Sequence, residues 1–343
     1  MAPYSVLQSL REQFRELPVA RADLSSKTLV VVGANTGLGL EASVHFATMG
    51  PERLLVTCRD EKKCEQAKRD ILQRVENGVS SDAVVSWPLN MDSFDSVCAF
   101  ADRFEAEEIG KIDALVANAG IASATYTRTS DGWEKQLQVN YLSTALLSIL
   151  MLPHLIKASS PESASRLVIV SSEAYNFNTH LKDISSWPNI LHKLNDETYC
   201  TAAVMQERYN LSKLLQVLFV RELAAHLPSP TPVAASTLHP GLCHSAIDRD
   251  ITGFLKYFLI VLKSFSARST EMGSRTLVHP AVAPDERSRH GKYLSSCEVM
   301  EYSDWVLSDE GKETAKRVWA ETIEVLTKID PRVEPIVREH LSS

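Results

Sequence analysis

Residues 28–48, TLVVVGANTGLGLEASVHFAT, constrain the chain more than any other stretch: an apolar β-branched run ends in glycine and opens at once into a segment of helical period. That order reads strand, tight turn, helix. The alternation recurs in RLLVTCR with a charged helix from Glu61 to Val75, AVVSWPL with a helix from Phe94 to Glu107, and IDALVAN with a long helix from Asp131 to Ile156. RLVIVSS, VAASTLHPG and GKYLSS continue it, the last after a helix from Thr270 to Val278, so seven strands are expected. Each run is almost wholly apolar, which marks strands covered on both faces and predicts a parallel sheet sandwiched by helices.

The remainder adds little that competes with this plan. A polar leader (Val6 to Glu16) is expected to be helical, the Pro-rich LPSPTPV reads as a loop, and Ser308 is placed to cap a helix running to about Leu326. No repeat or domain boundary is visible. Apolar residues at 44% and charged residues at 23% suit a folded globular chain. A net charge of −7 without any basic stripe argues against a nucleic-acid partner. Six scattered cysteines without a C-x-x-C pair, and no N-terminal apolar segment of signal type, point to a reducing, cytoplasmic compartment and to no metal site. LLSILMLPHLI (146–156) and ITGFLKYFLIVLKSF (251–265) are too short and too interrupted to span a bilayer. The second could lie on a membrane surface or cover a substrate.

VGANTGLG brings Gly33, Gly37 and Gly39 between the first strand and the first helix. Glycines there permit a tight turn and close approach to a pyrophosphate, whose charge the helix N-terminus favours. The second strand ends in TCRDEKK, with Arg59 first among the charges, where a carboxylate would hold the ribose of NAD. Arg59 suits the 2′-phosphate of NADP(H); the alternative is that Asp60 takes the ribose.

RLVIVSS delivers Ser171 and Ser172 to the ligand-binding end of its strand. In YNLSK, Tyr209 and Lys213 are i and i+4 on a helix and share a face. A phenol near pKa 10 is a poor proton donor or acceptor at neutral pH, and a nearby ammonium is expected to lower it.

With those residues in view, the chain over Lys27 to Ser295 resembles the short-chain dehydrogenase/reductase family. VGANTGLG resembles its glycine turn, NAG (Asn118, Ala119, Gly120) its fourth-strand motif, and Asn140, Ser172, Tyr209 and Lys213 its catalytic tetrad. HPGLCHS is similar to its P-G motif, with Pro240, Gly241, and Ser245 where a threonine usually holds the nicotinamide carboxamide. RYNLSKLLQVLFVREL and STEMGSRTLVHPA resemble its retinol-dehydrogenase-like and fungal secondary-metabolite members. The resemblance implies a Rossmann-type, doubly wound α/β fold in one domain, with a leader (1–26), a core (27–295) and a C-terminal helical extension (296–343). It adds Asn35, Thr36, Leu38 and Asn90 to the cofactor contacts. It implies hydride transfer to a carbonyl, with Ser172 on the oxygen, Tyr209 as proton donor, Lys213 on the nicotinamide ribose and Asn140 anchoring a water.

Three departures qualify this. Val32 replaces the threonine that opens the glycine motif, and Asn90 stands where an aspartate usually meets the adenine. Ser172 and Tyr209 are 37 positions apart, so an insertion (173–208) must leave the sheet and return, and it is expected to shape the substrate cleft. Some relatives with such an insertion are monomers, which favours a monomer over a homodimer here. Glu173, Tyr175 and Tyr199 are candidate substrate contacts. The expectation is an NADP(H)-dependent reductase of a bulky, lipophilic ketone or aldehyde. The same chemistry run as an alcohol dehydrogenase is the first alternative, and a scaffold without turnover the second, although that would be expected to have lost Tyr209 or Lys213.

Overall fold

The computed structural model describes residues 11–75, 79–244 and 266–341. Strands and helices alternate as the apolar runs require: β1 (Thr28–Val32), α1 (Gly37–Thr48), β2 (Arg53–Cys58), α2 (Glu61–Arg74), β3 (Val84–Pro88), α3 (Phe94–Ala106) and β4 (Ala114–Ala117). A π turn (Leu137–Leu142) leads into α4 (Ser143–Leu150), α5 (Leu152–Ala158) and β5 (Ser165–Val170). The insertion holds α6 (Leu181–Ser186) and α7 (Ile190–Asn195) before α8 (Ala202–His226) and β6 (Val233–His239). Last come α9 (Thr270–Val282), β7 (Lys292–Ser295), β8 (Glu298–Met300), α10 (Asp304–Leu307), α11 (Asp309–Ile329) and α12 (Val333–His340).

The strands form one sheet in the order β3-β2-β1-β4-β5-β6-β7-β8. Pairing is parallel from β3 to β7. The apolar runs are continuous because alternate residues serve different layers. Val30, Val32, Leu55 and Leu115 enter one apolar core, while Leu29, Val31, Leu54, Val56 and Val116 enter the other. The chain reverses its direction of winding between β1 and β4, which opens a crevice above their C-terminal ends.

Among the described residues eight strands form, one more than expected. Ser296 and Cys297 both adopt positive φ (51° and 68°) and turn β7 back into an antiparallel β8. Hairpin turns of this kind usually announce themselves with Asn or Gly, and a Ser-Cys pair does not. The long helix expected from Asp131 to Ile156 is also divided. A π turn interrupts it around Asn140, and Leu137–Leu150 meets Leu152–Ala158 at a 49° bend, where Pro153 follows. These segments are core rather than membrane helices, and among the described residues no single helix is long and apolar enough to cross a bilayer.

The insertion packs against the C-terminal extension. Glu321 of α11 accepts the Ile190 and Leu191 backbone N–H groups at 2.9 and 2.8 Å, capping α7, and Arg317 donates to the carbonyls of Ser185 (2.7 Å) and Trp187. Ser308 caps α11 as expected, accepting the Gly311 N–H at 3.1 Å. Of the leader expected to be helical, residues 6–10 lie outside the described residues, and 11–13 are helical.

Candidate active site

A cavity of about 440 Å³ opens above the C-terminal ends of β1, β4, β5 and β6. Gly33, Asn35, Thr36, Gly37 and Leu38 line it from the first turn, and Asn118, Ala119 and Gly120 from the end of β4. Gly37 has φ +63° with open space where a side chain would stand, so the backbone can meet a ligand directly. Gly39 does not line the cavity. A Cβ there would stand 2.2 Å from the Gly33 carbonyl oxygen and 2.6 Å from Asn118 Nδ2, so its role is helix-to-sheet packing. Asn118 Nδ2 donates to the Gly33 carbonyl at 2.9 Å and ties β4 to the turn. Thr36 is the N-cap of the 12-residue α1 and makes no side-chain capping bond, and the helix opens at Gly37 and Leu38 on the cavity lining, where its N-terminus favours negative charge.

At the β2 end, Arg59 and Lys63 line the cavity and Asp60 does not. Asp60 Oδ1 caps α2 by accepting the Lys63 N–H at 3.0 Å, and its Oδ2 pairs with Lys63 Nζ at 2.6 Å. Those bonds hold its carboxyl below the usual range. Lys63 is a second cation that sequence reading missed. It is the third residue of a helix whose N-cap is Asp60, and that register could have pointed to it. Asn90 also lines the cavity, with its backbone N–H held by Ser96 Oγ at 2.9 Å.

At the β5 end, Ser172, Tyr209 and Lys213 converge on the same cavity. Ser172 Oγ accepts the Ala174 N–H at 3.2 Å, capping a short 3-10 turn, and is hydrogen-bonded to the Tyr209 phenol. One hydroxyl has the capacity for both. Ser171 Oγ donates to the Lys213 carbonyl at 2.9 Å and fastens α8 to β5. Tyr209, Lys213 and Gln216 follow one helical face. Lys213 Nζ donates to the Val170 carbonyl (2.8 Å) and to Gln216 Oε1 (3.2 Å), while Gln216 Nε2 donates to the Asn140 carbonyl at 2.6 Å.

Asn140 does not reach the cavity lining. Its Oδ1 accepts the Ile121 N–H at 2.8 Å, and its Nδ2 donates to the Ile121 carbonyl and to Ser212 Oγ, both at 2.9 Å. It therefore shapes the chain after Gly120 and holds α8, and Gln216 links its carbonyl to the lysine. Sequence reading expected Asn140 to anchor a water and did not identify Gln216.

The electrostatics correct another expectation. Burial pushes the Tyr209 phenol up to about 12, against the lowering effect of its bond to Ser172. Burial alone pulls Lys213 down to about 7. The lysine is 2% exposed, and its Nζ is 5.7 Å from the Tyr209 ring centre, directed at oxygen acceptors elsewhere. Burial, rather than the lysine, thus dominates the shift of the phenol.

The other expected residues are placed apart. Tyr175 is 2% exposed, its hydroxyl accepts the Ser303 N–H at 3.1 Å, and its ring packs edge-on to Tyr293 at 4.9 Å. Tyr199 packs on Trp187 at 4.9 Å. Glu173 opens the 3-10 turn and, like those two, is not on the lining. No residue of the 173–208 insertion lines this cavity, and the insertion packs on the extension. Pro240 and Gly241 form part of the wall; Ser245 and the whole apolar 251–265 segment lie outside the described residues. Among the described residues no cluster could hold a metal ion.

A family model described as short chain dehydrogenase matches residues 27–180. A short chain dehydrogenase/reductase of Cryptosporiopsis sp. is 37% identical over 93% of this chain and 96% of its own length. A short-chain dehydrogenase/reductase of Phaeosphaeria nodorum is 34% identical over 91% of this chain and 90% of its own. Among solved structures, NADPH-bound carbonyl reductase from chicken fatty liver shares the fold, with a TM-score of 0.58 and 20% identity over 81% of this chain and 100% of that one.

Proposed function

The chain belongs to the short-chain dehydrogenase/reductase family, and from that premise we propose that it is an NADP(H)-dependent carbonyl reductase of a bulky, largely apolar ketone or aldehyde in secondary metabolism. The observation that carries the reading is one cavity with Arg59 and Lys63 at one end and Ser172, Tyr209 and Lys213 at the other. Two cations suit the dianionic 2′-phosphate, and Asp60, occupied by its helix cap and by Lys63, is poorly placed to hold a ribose instead. The open backbone at Gly37 and the uncapped start of α1 fit the pyrophosphate.

When bound, the reduced nicotinamide supplies a hydride. The chain's own part is to orient the carbonyl and provide the proton. Ser172 donates a hydrogen bond to the carbonyl oxygen, and Tyr209, kept protonated by burial, delivers its proton as negative charge develops there. Lys213, set in place by its bonds to the Val170 carbonyl and to Gln216, would hold the nicotinamide ribose. A monomer is favoured because α11 lies across α8, with Trp319 packed on Phe219 at 5.6 Å.

The test is consumption of NADPH and of NADH across a panel of lipophilic ketones, with Tyr209→Phe beside the native protein. Turnover is expected with NADPH, and the variant is expected to lose about 1,000-fold in kcat while binding cofactor normally. Equal turnover by the variant would refute the assignment of the phenol.

A further inference from the structure

The cavity wall at Pro240, Gly241, Leu242 and Cys243 follows β6 as irregular chain, bridged at Cys243 to Arg268 and packed at Cys243 on Gly273 of α9. Its position depends on residues from two distant parts of the chain. Gln13, in the leader, donates from Nε2 to the carbonyls of Leu242 and Ser266, both at 2.7 Å, and accepts the Leu242 N–H on Oε1 at 2.9 Å. A primary amide suits this place because it offers donors and an acceptor together, which neither a carboxylate nor an ammonium does.

Arg268, 6% exposed, completes the clamp. It donates from Nη1 to the Pro240 carbonyl at 3.1 Å, from Nε to the Gln13 carbonyl at 3.2 Å, and from Nη2 to the Glu12 carbonyl and to Ser296 Oγ. Its backbone N–H meets the Leu242 carbonyl at 2.8 Å. The leader is itself anchored, through Leu17 at 1% exposure with its carbonyl bonded to Arg275 at 2.7 Å, and through Arg15 on Glu298 at 2.5 Å.

We propose that Gln13 is a positioning residue for the nicotinamide half of the cofactor, acting through the Pro240–Cys243 wall. The wall lies on the β5–β6 side with Ser172 and Tyr209, whereas Arg59 lies beyond β1 and β4 at the other end of the cavity. Loosening the wall therefore acts on one half of the dinucleotide only. This inference rests on the reading that the cavity takes a nicotinamide dinucleotide.

The experiment compares the native protein with Gln13→Met, which keeps length and apolar bulk, and with Gln13→Glu, which sets a carboxylate against two carbonyl oxygens. Affinities are measured by calorimetry for NADPH and for 2′,5′-ADP, or for NADH and ADP if the native protein prefers NADH, together with kcat. Gln13→Met is expected to weaken the whole dinucleotide about ten-fold and lower kcat, with the adenosine fragment unaffected, the scale of about one hydrogen bond. Gln13→Glu is expected to cost more. Unchanged affinity and turnover in both variants would overturn the proposal, and so would equal weakening of dinucleotide and fragment, which indicates general loosening. A native protein that takes up neither dinucleotide would refute the cofactor reading itself and the proposal with it.

Discussion

Lys213 is a cation kept where water cannot solvate it, and that has a consequence for stability. Its pKa falls from 10.5 to about 7 on folding, so between those values the unfolded chain binds the extra proton. Stability contributed by the neutral lysine is then present above the unfolded value and is lost as pH falls through about 7. Tyr209 acts oppositely above pH 10, where the unfolded phenol ionises first because the folded one is held up to about 12. The melting temperature of the cofactor-free protein should therefore rise from pH 7 toward 10, and Lys213→Met should flatten that rise in thermal melts across the same range. The i, i+4 spacing made Tyr209 and Lys213 legible as a pair. Their charge state was not legible, because it depends on the Val170 carbonyl and on Gln216, which only the packing of α8 on β5 brings to the lysine. Gln216 by itself is an ordinary helix residue.

Among the elements, α8 and the chain that leads into the π turn are joined by a buried ion pair one residue before Tyr209. Glu134 and Arg208 are each no more than 1% exposed, with Arg208 Nε 3.8 Å from Glu134 Oε2. Glu134 also accepts the Gln136 and Leu137 N–H groups, both at 2.9 Å, and so starts the helix that carries Asn140. Burial nevertheless pushes its carboxyl up, a cost that Arg208 offsets in part. Arg208→Met should destabilise the protein by about 3 kcal/mol in denaturant titration, since it strands a buried carboxylate. Adding Glu134→Gln should recover part of that loss. The order of strands and helices was readable from apolar runs because burial on both faces writes itself into every residue. The π turn was not, since QLQVNYLS has the composition of an ordinary helix, and its irregular turn is tied to tertiary bonds from Asn140 to Ile121 and Ser212.

Across the whole molecule, the insertion and the extension behave as one structure laid over α8, joined by Glu321 to α7 and by Arg317 to the end of α6. Glu321→Ala removes the cap of α7 and is expected to cost about 1 kcal/mol, with faster hydrogen exchange across residues 188–195 while the β-sheet amides keep their protection. Equal exchange in both proteins would contradict this coupling. The insertion was visible in the sequence as an excess of chain between Ser172 and Tyr209, but its partner, far downstream, was not. The leader's attachment reaches still further, since Gln13 binds residues 229 and 253 positions away. A ribosome makes Gln13 long before Ser266. The segment around Gln13 must therefore wait, undocked, until Ser266 has emerged, so this wall of the cavity is completed only after strands β1 to β6 have been made.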